Sequence, residues 1–141
     1  MHKPLQILLV EDNPGDAELV REALREHGIE HEIKLASDGA EAEAYLARMG
    51  TSPDAPCPDL ILLDLNLPKS GGHQVFAAFR ANPLCASTPV IVLTSSNAPR
   101  DREQAASLRA SRYFRKPSDL AEFLMLGQVI REVALEAGLP A

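Results

Sequence analysis

A chain of 141 residues with 45% hydrophobic and 24% charged residues has enough apolar surface to bury a core without staples, which excludes global disorder and needs only one domain. Its formal net charge of -6, from 20 acids against 14 Lys plus Arg, repels nucleic acid and anionic membrane and argues against a polyanionic partner. No segment approaches the roughly eighteen apolar residues of a membrane span, and neither export nor insertion is indicated. Cys57 and Cys85, without a CxxC or a His-rich spacing, read as reduced thiols of a cytoplasmic protein, a bridge being the other option that two cysteines allow.

Aliphatic runs at Leu5 to Val10, Leu60 to Leu63 and Val90 to Thr94 read as strands buried on both faces. "HEIKLA", in which Ile33 and Leu35 alternate with charge, and "RYFRK", ending at Lys116, read as edge strands. Helical periodicity fills the gaps. In "NPGDAELVREALREHG" Asn13 can cap, Pro14 suits the first position, Gly28 stops the helix, and Ala17, Val20, Ala23 and Leu24 form the apolar stripe. Asp38 and Glu41 make a capping-box pattern for a second helix running to about Met49. "GHQVFAAFRANP" carries a third helix, a fourth follows Asn97 and Pro99, and a fifth begins after Ser118 or Asp119. "GTSPDAPCPD", rich in Pro and small residues, reads as a surface excursion between the second helix and the third strand. Strand then helix, repeated, predicts a doubly wound parallel α/β sheet with right-handed crossovers, whose active crevice lies beyond the carboxyl ends of the strands.

Those ends carry Glu11 and Asp12, then Asp64, Thr94 and Lys116. A single polar residue after a strand is usually a turn residue or cap, but convergence of all of them on one rim is not expected by chance. "DLNLPKSGG" turns sharply after Asp64 at Pro68, Gly71 and Gly72. Three crowded carboxylates repel one another, and a hard divalent cation with oxygen ligands neutralises them. Mg2+ fits best, with Mn2+ as the alternative, held by Glu11, Asp12, Asp64 and the backbone carbonyl of Asn66. A carboxylate so placed can attack phosphorus, with Asp64 as nucleophile, Lys116 neutralising phosphoryl charge and Thr94 offering a short hydroxyl donor.

"LLVEDNP", "DLILLDLNLP", "VIVLTSS" and "YFRKP", in this order, resemble the receiver domain of two-component response regulators over nearly the whole chain. The resemblance implies a five-stranded, flavodoxin-like sheet of strand order 2-1-3-4-5 filling residues 1–141 as a single receiver domain with no output domain. It makes Asp64 the phosphoacceptor for a sensor histidine kinase, Glu11 and Asp12 the acid pair, Asn66 the carbonyl ligand, Thr94 the switch hydroxyl and Lys116 the phosphate-pairing lysine. It also implies a cis peptide bond before Pro117, the residue type for which that bond is cheap. Tyr113 matches the family's rotameric aromatic switch, an edge-strand aromatic being the competing reading. Phosphorylation would then act on the face formed by the fourth helix, fifth strand and fifth helix. Arg109 stands where the family usually has Gly, so the turn there must avoid positive φ or bear strain.

More narrowly, "VEDNPGDAELVREAL", the Pro-containing loop before "PDLILLDLNLPK", and the tail beyond the fifth helix resemble the stand-alone receivers that serve bacterial phytochromes. That resemblance implies a phytochrome kinase as donor, a histidine phosphotransfer protein as a further partner, and a homodimer through the output face. The apolar run Leu124, Met125, Leu126 agrees with a dimer, and a broad contact with the sheet competes with it. The enzyme alternative is a Mg2+-dependent phosphohydrolase of haloacid dehalogenase type, which also uses a strand-end Asp but needs a second Asp where Asn66 stands. A degenerate receiver would lack one of the site groups, and none is missing. Nucleotide binding is not indicated, since neither GxxxxGK[ST] nor GxGxxG follows the first strand.

Overall fold

The computed structural model describes residues 3–67 and 71–139. Strands β1 (Leu5–Val10), β2 (His31–Ala36), β3 (Leu60–Asp64), β4 (Val90–Thr94) and β5 (Arg112–Arg115) form one parallel sheet in the order β2-β1-β3-β4-β5. That is the expected order 2-1-3-4-5, with "HEIKLA" and "RYFR" at the two edges. The three central strands are aliphatic on both faces because helices cover both.

On one face Leu5, Ile7, Leu9, Leu60, Leu62, Ile91 and Leu93 meet α1 (Pro14–Glu26), α5 (Leu120–Leu124) and α6 (Leu126–Glu136). On the other, Leu8, Val10, Ile61, Leu63, Val90 and Val92 meet α2 (Gly39–Arg48), α3 (Gly72–Ala81) and α4 (Pro99–Ser107). Side chains two apart along each strand point the same way, so one apolar run supplies both cores. Asn13 and Asp38 cap α1 and α2 by accepting from the backbone N–H groups of Asp16 and Glu41. Glu41 returns the bond to the N–H of Ser37, one residue before the cap.

The fifth helix of the sequence is two segments joined at Met125. Met125 stays helical at φ −64°, ψ −14°, but bonds tighten to i→i+3 there, from Met125 N–H to Glu122 and from Gln128 N–H to Met125. The joint lets Gly127 lie hard against α1, where a Cβ would come 2.5 Å from the Ala23 carbonyl oxygen. The bond before Pro117 is trans, which corrects the cis expectation; the preference between the isomers is only about 0.5–1 kcal/mol for any X–Pro bond, so proline allows either form without selecting one.

Cys57 and Cys85 are joined in a disulfide, their Cα atoms 5.6 Å apart, which corrects the reading of two reduced thiols. Because β3 and β4 are parallel neighbours, their amino-terminal ends lie side by side. Cys57, just ahead of β3, and Cys85, just ahead of β4, therefore meet although 28 residues separate them.

Arg109 adopts φ 63°, so the turn bears the strain instead of avoiding it. It is the residue after the C-cap of α4: Ala110 N–H bonds back to Ala105 and Arg109 N–H to Ala106, a Schellman closure that requires the left-handed conformation. Arg80 fixes the turn from α3, donating to the carbonyls of Leu108 at 2.8 Å and Arg109 at 3.0 Å, and also to those of Ala86 and Thr88. Arg109→Gly keeps those bonds and removes the Cβ penalty of left-handed backbone. It should stabilise the protein by about 1 kcal/mol, a few degrees in Tm; thermal melts reporting an unchanged or lower midpoint would contradict this.

Candidate functional site

The carboxyl ends of β1, β3, β4 and β5 put the expected groups on one rim. Glu11 follows β1 with 2% of its surface exposed, and Asp64 ends β3 at 3%. Asp12 faces solvent. Carboxylate oxygens of Glu11, Asp12 and Asp64 lie within 4.8 Å of one another. Lys116, just beyond β5, reaches across the top of the sheet and donates to Glu11 Oε1 at 2.6 Å and Asp64 Oδ2 at 3.1 Å.

Asp16 was not anticipated in the sequence, yet its carboxylate takes the third bond from Lys116 Nζ, at 2.9 Å. It stands in the first turn of α1, three residues after the N-cap Asn13, and an acid in a first turn was the available signal. Gly72 holds the rim tight from α3: a Cβ there would lie 2.5 Å from the Asp64 carbonyl oxygen and 2.4 Å from Leu65 Cα. The turn expected at Pro68 lies outside the described residues, while Gly71 is extended at φ −63°, ψ 148°.

One ammonium cannot neutralise this many acids. Burial, and then the hydrogen bond and charge of Asp64, push Glu11 up to about 8, although Lys116 pulls it the other way. Burial disfavours the Lys116 charge, but the hydrogen bonds it donates to Asp16 and Glu11 outweigh it and hold Lys116 protonated beyond its ordinary range. Two buried carboxylates with an exposed third crowded beside them at the rim fit a hard divalent cation, with Glu11, Asp12 and Asp64 as the residues able to hold it.

Thr94, fully buried, is not bonded to Asp64 directly. Asn66 lies between them, its backbone N–H donating to Asp64 Oδ1 at 2.9 Å and its side-chain amide to Thr94 Oγ1 at 3.0 Å. Ser96 N–H also donates to Thr94 Oγ1, at 3.1 Å. Tyr113 is one shell further out: half-buried on β5, it donates to the Ser96 carbonyl at 2.9 Å, with the Arg102 guanidinium 4.4 Å from its ring centre. Burial first, then the charge of Asp101, raises the Tyr113 pKa, so the phenol remains a donor at neutral pH.

A parallel doubly wound sheet with an acid cluster, hydroxyl and lysine on its carboxyl rim defines a phosphoryl-accepting signalling module, and the chain belongs to the response regulator receiver domain family, whose model it matches over residues 7–126. It is 40% identical over 133 residues to the response regulator Rcp1 of Synechocystis sp. strain PCC 6803, covering 94% of this chain and 90% of that one. The Mn2+-bound form of Rcp1 superimposes with a TM-score of 0.83 at 40% identity, covering 98% of this chain and all of that one. The phosphorylated cyanobacterial phytochrome response regulator RcpA also gives 0.83, at 38% identity over 94% and 95% of the two chains. The bacteriophytochrome response regulator AtBRR gives 0.71 at 34% identity, covering 94% of each. The chain is therefore a two-component receiver of the kind that phytochrome-associated relatives represent, signalling through phosphorylation in exchange with a sensor histidine kinase or other phosphodonor. The phosphohydrolase alternative has no support in these similarities, and at the position where it needs a second acid the amide of Asn66 is committed to Thr94. Among the described residues no helix is long and apolar enough to cross a membrane.

Proposed function

We propose that Asp64 is the phosphoacceptor of this receiver. The observation that carries the reading is the buried pair Glu11 and Asp64, to which the partly buried Lys116 donates at 2.6 and 3.1 Å, with Asp12 alongside. An Asp64 carboxylate oxygen attacks the phosphorus of a phosphohistidine. The P–O bond forms as the P–N bond breaks, and the departing imidazole nitrogen takes up a proton. Lys116, already beside Asp64 Oδ2, neutralises one phosphoryl oxygen. Thr94 has both lone pairs engaged by Asn66 and Ser96, which leaves its hydroxyl proton to donate to another. Glu11, Asp12, Asp64 and the Asn66 carbonyl would hold Mg2+, or Mn2+, which when bound would supply further neutralisation of phosphoryl charge. Thr94 and Tyr113 carry the response to the α4-β5-α5/α6 face.

The donor proposed is a phytochrome-type histidine kinase, on the strength of RcpA and AtBRR, with a histidine phosphotransfer protein as onward partner. Residues 1–141 act as one receiver domain, without nucleic-acid or membrane binding, in the cytoplasm with the kinase's ATP. The cytoplasm keeps most thiols reduced, so the Cys57–Cys85 bridge is one that this compartment opposes. A homodimer through α5 and α6 is favoured by Leu120 (57% exposed), Met125 (48%) and Leu135 (58%). Leu126, by contrast, is buried against the sheet, as the competing reading had it. Light scattering should give twice the chain mass; a monomer with and without phosphorylation overturns the dimer. For the phosphoacceptor, incubation with acetyl phosphate and MgCl2 should add one base-labile phosphoryl group to the peptide containing Asp64. No mass gain, or gain on another residue, overturns the assignment.

A further inference from the structure

The excursion between α2 and β3, which the receiver chemistry does not use, walls a cavity of about 510 Å³ on the α2 face of the sheet. None of Glu11, Asp12, Asp64 and Lys116 lines it. Its size falls within the roughly 300–1,000 Å³ of pockets that hold small molecules. Leu8 and Met49, both buried, give it apolar walls together with Tyr45, Pro56 and Pro58. Main-chain bonds fix those walls. Gly50 turns the chain after α2 with φ 74°, and its N–H donates to the Ala55 carbonyl at 2.7 Å. Ala55 N–H donates to the Ser52 carbonyl at 3.1 Å, closing the turn that carries Asp54. Gln6 N–H donates to Asp59 Oδ2 at 2.9 Å and Asp59 N–H to the Gln6 carbonyl at 2.8 Å, which ties the end of the excursion to β1. Cys57, in the wall, is bonded to Cys85 ahead of β4. The cavity therefore exists before any occupant arrives, and binding need not order the loop.

Two cations line this apolar cavity. Lys34 pairs in register with Leu8, so both side chains stand on the same face, and Arg48 ends α2. Lys34 Nζ lies 5.9 Å and Arg48 Cζ 5.4 Å from the centre of the Tyr45 ring, where cation–π attraction holds them. Among the described residues neither forms an ion pair, and nor does Asp54, the exposed acid of the lining. In a chain of net charge -6, an apolar cavity with two unpaired cations is a local reversal of sign. The walls favour an organic body by removing it from water, and the cations favour an anionic head. A neutral apolar molecule would leave both cations unused, and an inorganic anion would leave the walls wet.

We propose that this cavity is a binding site for a small organic acid, whose apolar body lies against Leu8, Met49 and the two prolines and whose carboxylate stands beside Lys34 and Arg48. The planar guanidinium of Arg48 matches a carboxylate with two parallel N–H groups, and Lys34 adds a point charge. The site shares no residue with the acid cluster or Lys116, so it stands or falls independently of Asp64 as phosphoacceptor.

The probe is anilinonaphthalene sulfonate, an aromatic anion whose emission rises in apolar surroundings; N-phenylnaphthylamine, the same rings without the sulfonate, is its neutral control. The anion should bind one per chain and more tightly than the control. Lys34→Gln and Arg48→Gln, at exposed residues, should each weaken the anion about threefold and together about tenfold, with the control's binding and the Tm unchanged. Methionine methyl NMR reads the position. Of the three Met, Met49 lines the cavity and Met125 is exposed between α5 and α6. The Met49 methyl should shift on titration while that of Met125 stays, and Ala55→Trp, which fills the cavity, should abolish the shift. Absence of binding, equal binding of the two probes, undiminished binding in the charge variants, or a shift at Met125 in place of Met49 overturns the proposal. Should Ala55→Trp fail to fold, the charge variants and the Met49 methyl decide the matter without it.

Discussion

Asp64→Asn should form no detectable acyl phosphate with acetyl phosphate and Mg2+, a loss of more than about a hundredfold, because an amide oxygen lacks the charge and the basicity of the carboxylate nucleophile. The substitution is a sharp test because little else changes. Asparagine keeps the volume, can still accept the Asn66 N–H with its carbonyl oxygen, and leaves Lys116 bonded to Glu11 and Asp16. Asp64 also contributes both a hydrogen bond and a charge to the raised pKa of Glu11, so the variant should bring Glu11 back toward the ordinary carboxylate range. The fold is therefore retained and the chemistry lost. A base-labile phosphate appearing on the variant in wild-type yield would show that another residue accepts the phosphoryl group.

In EDTA, stability should fall as pH rises from 5 to 8. Folded Glu11 holds its proton up to about pH 8, whereas the unfolded chain releases it near 4.5. Between those values the native state binds more protons than the unfolded state, so the slope of unfolding free energy against pH is negative. At roughly 1.4 kcal/mol per unit, the change across the interval reaches several kcal/mol. Lys116 does not contribute to that slope: its pKa is raised by folding, and its stabilisation is fully present below about pH 10.5. Glu11→Gln should flatten the dependence. Mg2+ should reverse the penalty by competing with the proton, adding about 2.7 kcal/mol at a hundred times its Kd and releasing up to one proton per ion near pH 7. Chemical denaturation across pH, with and without Mg2+, and calorimetry in buffers of different ionisation enthalpy check both parts. A flat or rising stability in EDTA between pH 5 and 8 would contradict the assignment of a buried, crowded Glu11.

The Glu11 shift and the contact of His73 Nε2 with Asp101 Oδ1, at 3.1 Å, mark how far the sequence could be read. The aliphatic runs at β1, β3 and β4, the caps Asn13 and Asp38, and the strand-then-helix order all follow from local chemistry: period, capping geometry and burial on both faces of a parallel sheet. Strand-end residues Glu11, Asp12, Asp64, Thr94 and Lys116 were legible for the same reason, since a parallel sheet sends every carboxyl end to one rim.

What depended on neighbours distant in sequence was not legible. Asp16 was visible as a first-turn acid of α1, but only the reach of Lys116 across the top of the sheet selected it as a partner. His73 and Asp101 lie 28 residues apart, and neither spacing nor composition joins them before α3 and α4 dock side by side. The same is true of Arg80, which ties four backbone carbonyls from two separate loops. The Cys57–Cys85 bridge waited on β3 and β4 being adjacent. By itself, then, the sequence determined the elements, their order and the chemistry at the rim, because those rest on local propensity and on one general rule of α/β sheets. Only the tertiary structure decided that Glu11 is buried while Asp12 faces water, that Arg109 bears a left-handed turn, and which side chains bond to the loop after β4. These follow from side chains brought together across the sheet, where burial and pairing are set by packing and not by the residue's place in the chain.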